Sequence, residues 1–189
     1  MAVQIMDAAE KRIRAGGYHG FSFRELAADV GVKSASVHHH FPTKAILGAT
    51  VARRYTDRFT ETVNAGSQAG TVKAWREAFR RALQEDGHMC LCGLLGAEAG
   101  ALPPEVVSEV RRFFENGVQG LVRSLGKPSR SNRVMALKIL ATLEGAMLLA
   151  RALGDPTAFD QATEGLDDGL KSQKRLSPSS RRRVLPPLR

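Results

Sequence analysis

Three observations predict an all-α fold. Apolar residues recur at three- and four-residue steps along most of the chain. No stretch alternates apolar and polar residues as a half-buried strand does. Caps and breakers stand where each periodic run begins and ends. Together they divide the chain into about nine helices. An N-terminal three-helix unit containing a helix-turn-helix precedes a larger helical domain.

Residues 3–15 carry Ile5, Ala8, Ala9 and Ile13 on one stripe, with Asp7, Glu10, Lys11 and Arg14 off it, and Gly16-Gly17 ends the helix. Tyr18, Phe21 and Phe23 bring aromatic bulk into a short connector, where they serve as core under the next helices. Ser22 followed by Glu25 is a capping box. Leu26, Ala27 and Val30 then form one apolar face, and Gly31 stops the helix where a left-handed residue is needed. Val32 plugs the corner. A second short helix covers about 34–41 until Pro42, and Thr43 caps the helix that begins at Lys44. That helix runs through Leu47, Val51, Tyr55 and Phe59 towards Val63, and Gly66 and Gly70 break it.

The next helix, from about Thr71 to Glu85, presents Val72, Trp75, Phe79 and Leu83. After Asp86-Gly87-His88, the segment from Met89 to Ala99 is short and almost wholly apolar, so burial on all sides is expected. Pro103-Pro104-Glu105 opens a helix that reaches Leu125, with proline placed where a missing N–H costs nothing. Arg133 to Leu153 reads as a long apolar helix. Gly154-Asp155-Pro156 turns the chain into a last helix from Thr157 to Leu170. The expected division is 1–48 for the helix-turn-helix domain, 49–170 for the second helical domain and 171–189 for a basic, disordered tail.

Charge follows this division. Residues 1–58 hold nine Lys/Arg against five acids, residues 59–170 twelve against fourteen, and residues 171–189 seven with no acid. The net charge of +9 therefore sits on the helix-turn-helix end and the tail, which suits attraction to phosphate. No run of eighteen apolar residues exists and the N-terminus lacks a signal-peptide core, so no membrane span is expected. Cys90 and Cys92 are too close for an ordinary disulfide framework and too few for a structural zinc site. A reduced, cytoplasmic protein is expected.

A helix, a glycine turn and a second helix with a small polar N-terminal face form the pattern whose second helix enters the DNA major groove. Ser34, Ala35 and Ser36 are small enough to let backbone approach the groove floor; the hydroxyls can bond base edges and the methyl can meet thymine. Lys33 is the long cation beside them. Thr43 and Lys44 stand at a helix N-terminus, which favours a phosphate, as do Ser22 and Arg24 at the earlier one. His38, His39 and His40 occupy adjacent helical positions and so cannot face one metal ion. No metal and no cofactor are expected.

Gly17-Tyr18, the capping box, Leu26-Ala27, Gly31-Val32 and Val37-His38-His39-His40-Phe41-Pro42-Thr43-Lys44 resemble the TetR/AcrR family of bacterial one-component regulators. The stretch GVKSASVHxHFPTK is similar to that of one subgroup, with His39 where the subgroup usually has Tyr. Lys33 stands where Ser or Thr is common, and basic residues ahead of the first helix are missing. The likeness covers residues 1 to about 50. It implies a homodimer on a palindromic double-stranded operator, with a small effector bound in the C-terminal domain. His38 and His39 would then contact the phosphate walls. The expected outcome is a ligand-responsive repressor.

For the effector, Phe59, Trp75, Phe79, Met89, Cys90, Phe113, Leu143 and Met147 are bulky enough to line an apolar pocket, although plain core packing accounts for most of them. Cys90 and Cys92 are either small buried hydrophobes or a redox and electrophile sensor, in which His88 and a helix start lower the Cys90 pKa. Helices 133–153 and 157–170 are the dimer candidates, as a four-helix bundle across two subunits. An enzyme finds little support: no Ser–His–Asp arrangement, phosphate loop or metal spacing is present, so no enzyme is expected.

Overall fold

A computed structural model describes residues 1–166, apart from the side chains of residues 85 and 86. Among the described residues there are nine α-helices and no strand. They are α1 (Ala2–Gly16), α2 (Phe23–Val30), α3 (Ser34–His40), α4 (Lys44–Val63), α5 (Val72–Asp86), α6 (Leu91–Ala97), α7 (Pro104–Leu125), α8 (Arg130–Leu153) and α9 (Thr157–Ala162). One-turn 3-10 segments lie at Tyr18–Gly20 and Ala99–Ala101.

Local chemistry sets the boundaries. The Ser22 side chain accepts from the Glu25 N–H while the Glu25 carboxylate accepts from the Ser22 N–H, closing the capping box at the start of α2. Gly31 is left-handed at φ 74°, which turns α2 into α3. Thr43 caps α4 through the Ile46 N–H, and Thr71 caps α5 through the Ala74 N–H. α8 starts three residues earlier than expected because Ser129 caps it through the Asn132 N–H. The last helix ends at Ala162 rather than continuing, and a turn runs on to Leu166. The expected continuation over 167–170 and the basic tail 171–189 lie outside the described residues.

α1 packs on α2, and α2 on α3. α4 leaves this unit and packs along α7, which in turn packs on α8, and α8 on α9. One hydrophobic core runs unbroken from Ile5 to Phe159. The boundary expected at residue 48 thus falls inside a continuous helix. Gly48 shows why α4 can bridge the two parts: a Cβ there would stand 3.0 Å from the Tyr18 ring and 3.2 Å from Val106. The glycine lets α4 lie against both the N-terminal unit and α7.

Two expectations fail on packing. Arg14, placed off the apolar stripe, is buried at 5% exposure. α6 is not enclosed: Leu91, Cys92 and Leu95 are buried, but Leu94 is half-buried and Ala97 is exposed. Apolar composition cannot tell a helix in the centre of a core from one that flanks an opening.

Candidate functional site: a helix-turn-helix face joined to an apolar cavity

The α2–α3 pair presents the expected polar surface. Ser22, Arg24, Lys33, Ala35, His38, His39 and Thr43 are exposed, and Ser34, Ser36 and Lys44 are half-buried. Val37 and Phe41 are buried beneath them, as the periodicity requires. The turn is held by hydrogen bonds from Gly31 N–H to the Ala28 carbonyl and from Val32 N–H to the Ala27 carbonyl. His38 rests against Phe23 with ring centroids 4.6 Å apart, which fixes the end of α3 over the start of α2. His39 and His40 meet each other edge-on at 5.4 Å.

Lys44 departs from expectation. Its ammonium donates to the Phe21 carbonyl at 2.6 Å and lies 4.3 Å from the Phe21 ring centroid and 4.8 Å from that of Tyr18. Partial burial lowers its pKa. The side chain is therefore committed to holding the connector, and what remains free for an anion at that position is the N-terminus of α4.

The unit is clamped on α1 by ion pairs. Arg12 reaches Asp29 and Glu25 of α2, and Arg54 and Arg58 of α4 reach Glu10. The carboxyl of Asp29 is held below the usual range by Arg12, and that of Glu25 by its bonds to Ser22.

The C-terminal end of α1 is bonded to the helical body. The Arg14 guanidinium donates to the carbonyls of Met89 at 2.9 Å, Ala82 at 2.9 Å and His88 at 3.3 Å. Arg151 of α8 donates to the carbonyls of Arg14 at 3.1 Å and Ala15 at 3.2 Å. Glu98 accepts from the Tyr18 N–H at 2.9 Å. No spacing in the sequence marks these contacts, since their partners lie up to 137 positions apart.

The expected pocket residues mostly form solid core. Phe59 meets Phe79, Phe113 and Trp75 with centroids 5.0, 5.4 and 5.9 Å apart. These four rings, together with Cys90, Leu143 and Met147, are buried against their neighbours. Of the eight, Met89 alone lines the apolar cavity of about 400 Å³ that opens between α6, α7 and α8. The sequence reading missed its other walls, which include Leu94, Phe114, Leu140, Leu148 and Glu144. One signal was present: Glu144 is the sole acid between Arg130 and Leu153. Trp75 borders a separate cleft of about 430 Å³ with Asn64, Asn116 and Arg123. Phe59 borders another of about 430 Å³ with Arg14 and Arg58.

The cysteines do not behave as the sensor reading expects. Cys90 is the N-cap of α6 and accepts from the Gly93 N–H at 3.3 Å. Even so, burial pushes its thiol well above the ordinary value, and Glu144 adds to the effect. Burial likewise raises Cys92. Desolvation outweighs the helix start, so a lowered Cys90 pKa is not what the fold produces.

The exposed helix-turn-helix on an all-helical body defines a DNA-binding transcriptional regulator. The family "Bacterial regulatory proteins, tetR family" matches residues 5–48. A TetR-family transcriptional regulator from Agrobacterium tumefaciens is 30% identical, with 90% of this chain and 96% of that one covered at a TM-score of 0.77. A TetR transcriptional regulator from Legionella pneumophila is 29% identical, with 88% and 95% covered at a TM-score of 0.80. The reduced form of NemR from E. coli shares the fold at 19% identity, with 88% and 95% covered and a TM-score of 0.72. A search among curated proteins gives no match. The chain belongs to the TetR family. Among the described residues, no helix is long and apolar enough to cross a membrane.

Proposed function

We propose that the protein is a repressor that binds a palindromic operator as a homodimer and is released by a small, largely apolar effector. One observation carries this reading. The segments that wall the 400 Å³ cavity are also those that hold the end of α1. Met89 lines the cavity with its side chain and receives Arg14 with its carbonyl. Leu148 lines it one turn before Arg151, which bonds the last carbonyls of α1. An occupant that moves α6 or α8 must strain these bonds, and α1 is ion-paired to α2. Such an effector acts only by binding one of two arrangements better than the other.

In this reading residues 1–48 bind DNA and residues 49–170 hold the effector and the subunit contact. Ser34, Ala35, Ser36 and Lys33 read bases. Arg24, His38, His39 and the helix starts at Ser22 and Thr43-Lys44 position the backbone. The GVKSASVHxHFPTK stretch supports a shared reading mode with its subgroup. For the dimer, the support is the outer face of α8, where Val134, Leu137, Leu148, Leu149 and Leu153 are between 46% and 69% exposed. The buried, raised thiols favour a non-covalent effector over electrophile capture.

A gel shift on DNA flanking the gene, and on duplexes selected from a random pool, tests this. Sequence-selective binding of a palindrome and release by a small molecule are expected. Binding without sequence preference, with a steep salt dependence, overturns it in favour of an architectural role.

A further inference from the structure

The cavity between α6, α7 and α8 contains one charged side chain, Glu144, among otherwise apolar or glycine walls. Both Glu144 oxygens are shielded from solvent, and neither has a hydrogen-bond partner. The nearest polar influence is the Cys90 thiol, whose geometry falls short of a hydrogen bond to it. The carboxylate is accommodated by design of the backbone: a Cβ on Gly93 would collide with it, and one on Gly96 would stand 3.2 Å from the Phe114 ring. Two glycines on one short helix thus make room for an acid and an aromatic ring at the same opening. A buried carboxylate without a partner is costly, and a positive donor beside it would offset that cost.

We propose that this cavity binds a small organic monocation, an amine with an apolar body, whose ammonium group meets Glu144. The apolar body fills the space walled by Leu94, Leu140 and Leu148, and Phe114 offers its ring to the cation or to an aryl group. Anions are rejected by the same carboxylate, and neutral molecules of the same shape leave its charge uncompensated. Leu137 and Leu148 at the mouth belong to the exposed face of α8. A second subunit laid on that face would close the site over its occupant. The proposal rests on the effector-responsive reading above and adds the chemical class of the effector.

The test compares three probes with one apolar body: 4-phenylbutylamine, 4-phenylbutanol and 4-phenylbutyrate, titrated into the full-length protein by calorimetry. The amine is expected to bind about tenfold or more tightly than the alcohol, and the butyrate weakest. In Glu144→Gln the preference for the amine should vanish while the alcohol binds as before. Ala141→Phe, which fills the opening, should abolish binding of both. Equal affinity of amine and alcohol in the wild-type protein overturns the proposal without reliance on any variant. It is also the result expected if a cationic side chain of a second subunit occupies the site. Operator release is read separately. Amine binding through Glu144 with unchanged operator affinity sustains the site and refutes the regulatory reading beneath it. Release by the neutral or anionic probe, with no cation preference, overturns the site and leaves that reading standing.

Discussion

Glu144 and Arg14 are two charged side chains taken inside the protein, and they are treated in opposite ways. Arg14 is surrounded by backbone carbonyls, while Glu144 faces apolar walls with its oxygens unpaired. Burial raises the Glu144 carboxyl from the usual range to about 7. The folded state therefore holds its proton more tightly than the unfolded state. Stability falls as pH rises from about 4.5 to about 7 and is level above that. The Cys90 and Cys92 thiols nearby on α6 and its cap are raised by burial and stay neutral through this window. Glu144→Gln should thus gain stability over the wild type between pH 5 and pH 8, by up to about 3 kcal/mol. Thermal unfolding at the two pH values checks this; an equal difference at both rules it out. Arg14→Met should cost about 3 kcal/mol, because the Met89 and Ala82 carbonyls lose a charged donor inside the fold. Denaturant unfolding would show it as a lower midpoint with an unchanged slope. Lys33 belongs to the same scale but to the outer surface. Lys33→Ala should weaken DNA binding and reduce the salt slope by about 1, read by gel shifts at several salt concentrations.

Among the elements, α1 links the helix-turn-helix to the helical body. It is ion-paired to α2 and α4, and its C-terminal carbonyls are held by α8. Arg151→Met removes the α8 link while leaving both the helix-turn-helix and the cavity walls intact. Operator affinity without effector should change by less than about tenfold, whereas the ratio with and without effector should shrink towards one. Titration of operator at saturating and zero effector measures both; an undiminished ratio would show that coupling runs elsewhere. The helices themselves were largely legible in advance. Ser22 with Glu25, Gly31, Thr43 and Thr71 act within a turn of their own positions, so residue order alone is enough to read them. The exposure of α6 is not legible in this way, because Leu94 is the same residue type as Leu91 and Leu95 and Ala97 is apolar too. Only the neighbours decide which of them face an opening.

For the whole molecule, the proposed dimer is the feature on which recognition of a palindrome would depend. Leu149 and Leu153 are 50% and 69% exposed on α8 and do not line the cavity. Leu149→Glu with Leu153→Glu should yield monomers in sedimentation with unchanged helical content, and lose binding to a palindrome. A dimer that persists in the double variant would move the interface away from this face. The candidate DNA surface was readable from sequence because it consists of seven exposed side chains and three half-buried ones within one local motif. The cavity between α6, α7 and α8 was not. Its expected residues, led by the Phe59, Trp75, Phe79 and Phe113 rings, proved to fill the core they were meant to hollow out.

Residue order by itself determined the all-helical fold, the helix-turn-helix and the surface that α3 presents, because caps, breakers and periodicity act over a few positions. Tertiary structure alone decided that Lys44 turns inwards onto Phe21, that Arg14 is buried, and that Glu144 stands unpaired in an apolar cavity. Those outcomes depend on partners far away in sequence. The free energy of a charge is set by what surrounds it, not by what precedes it in the chain.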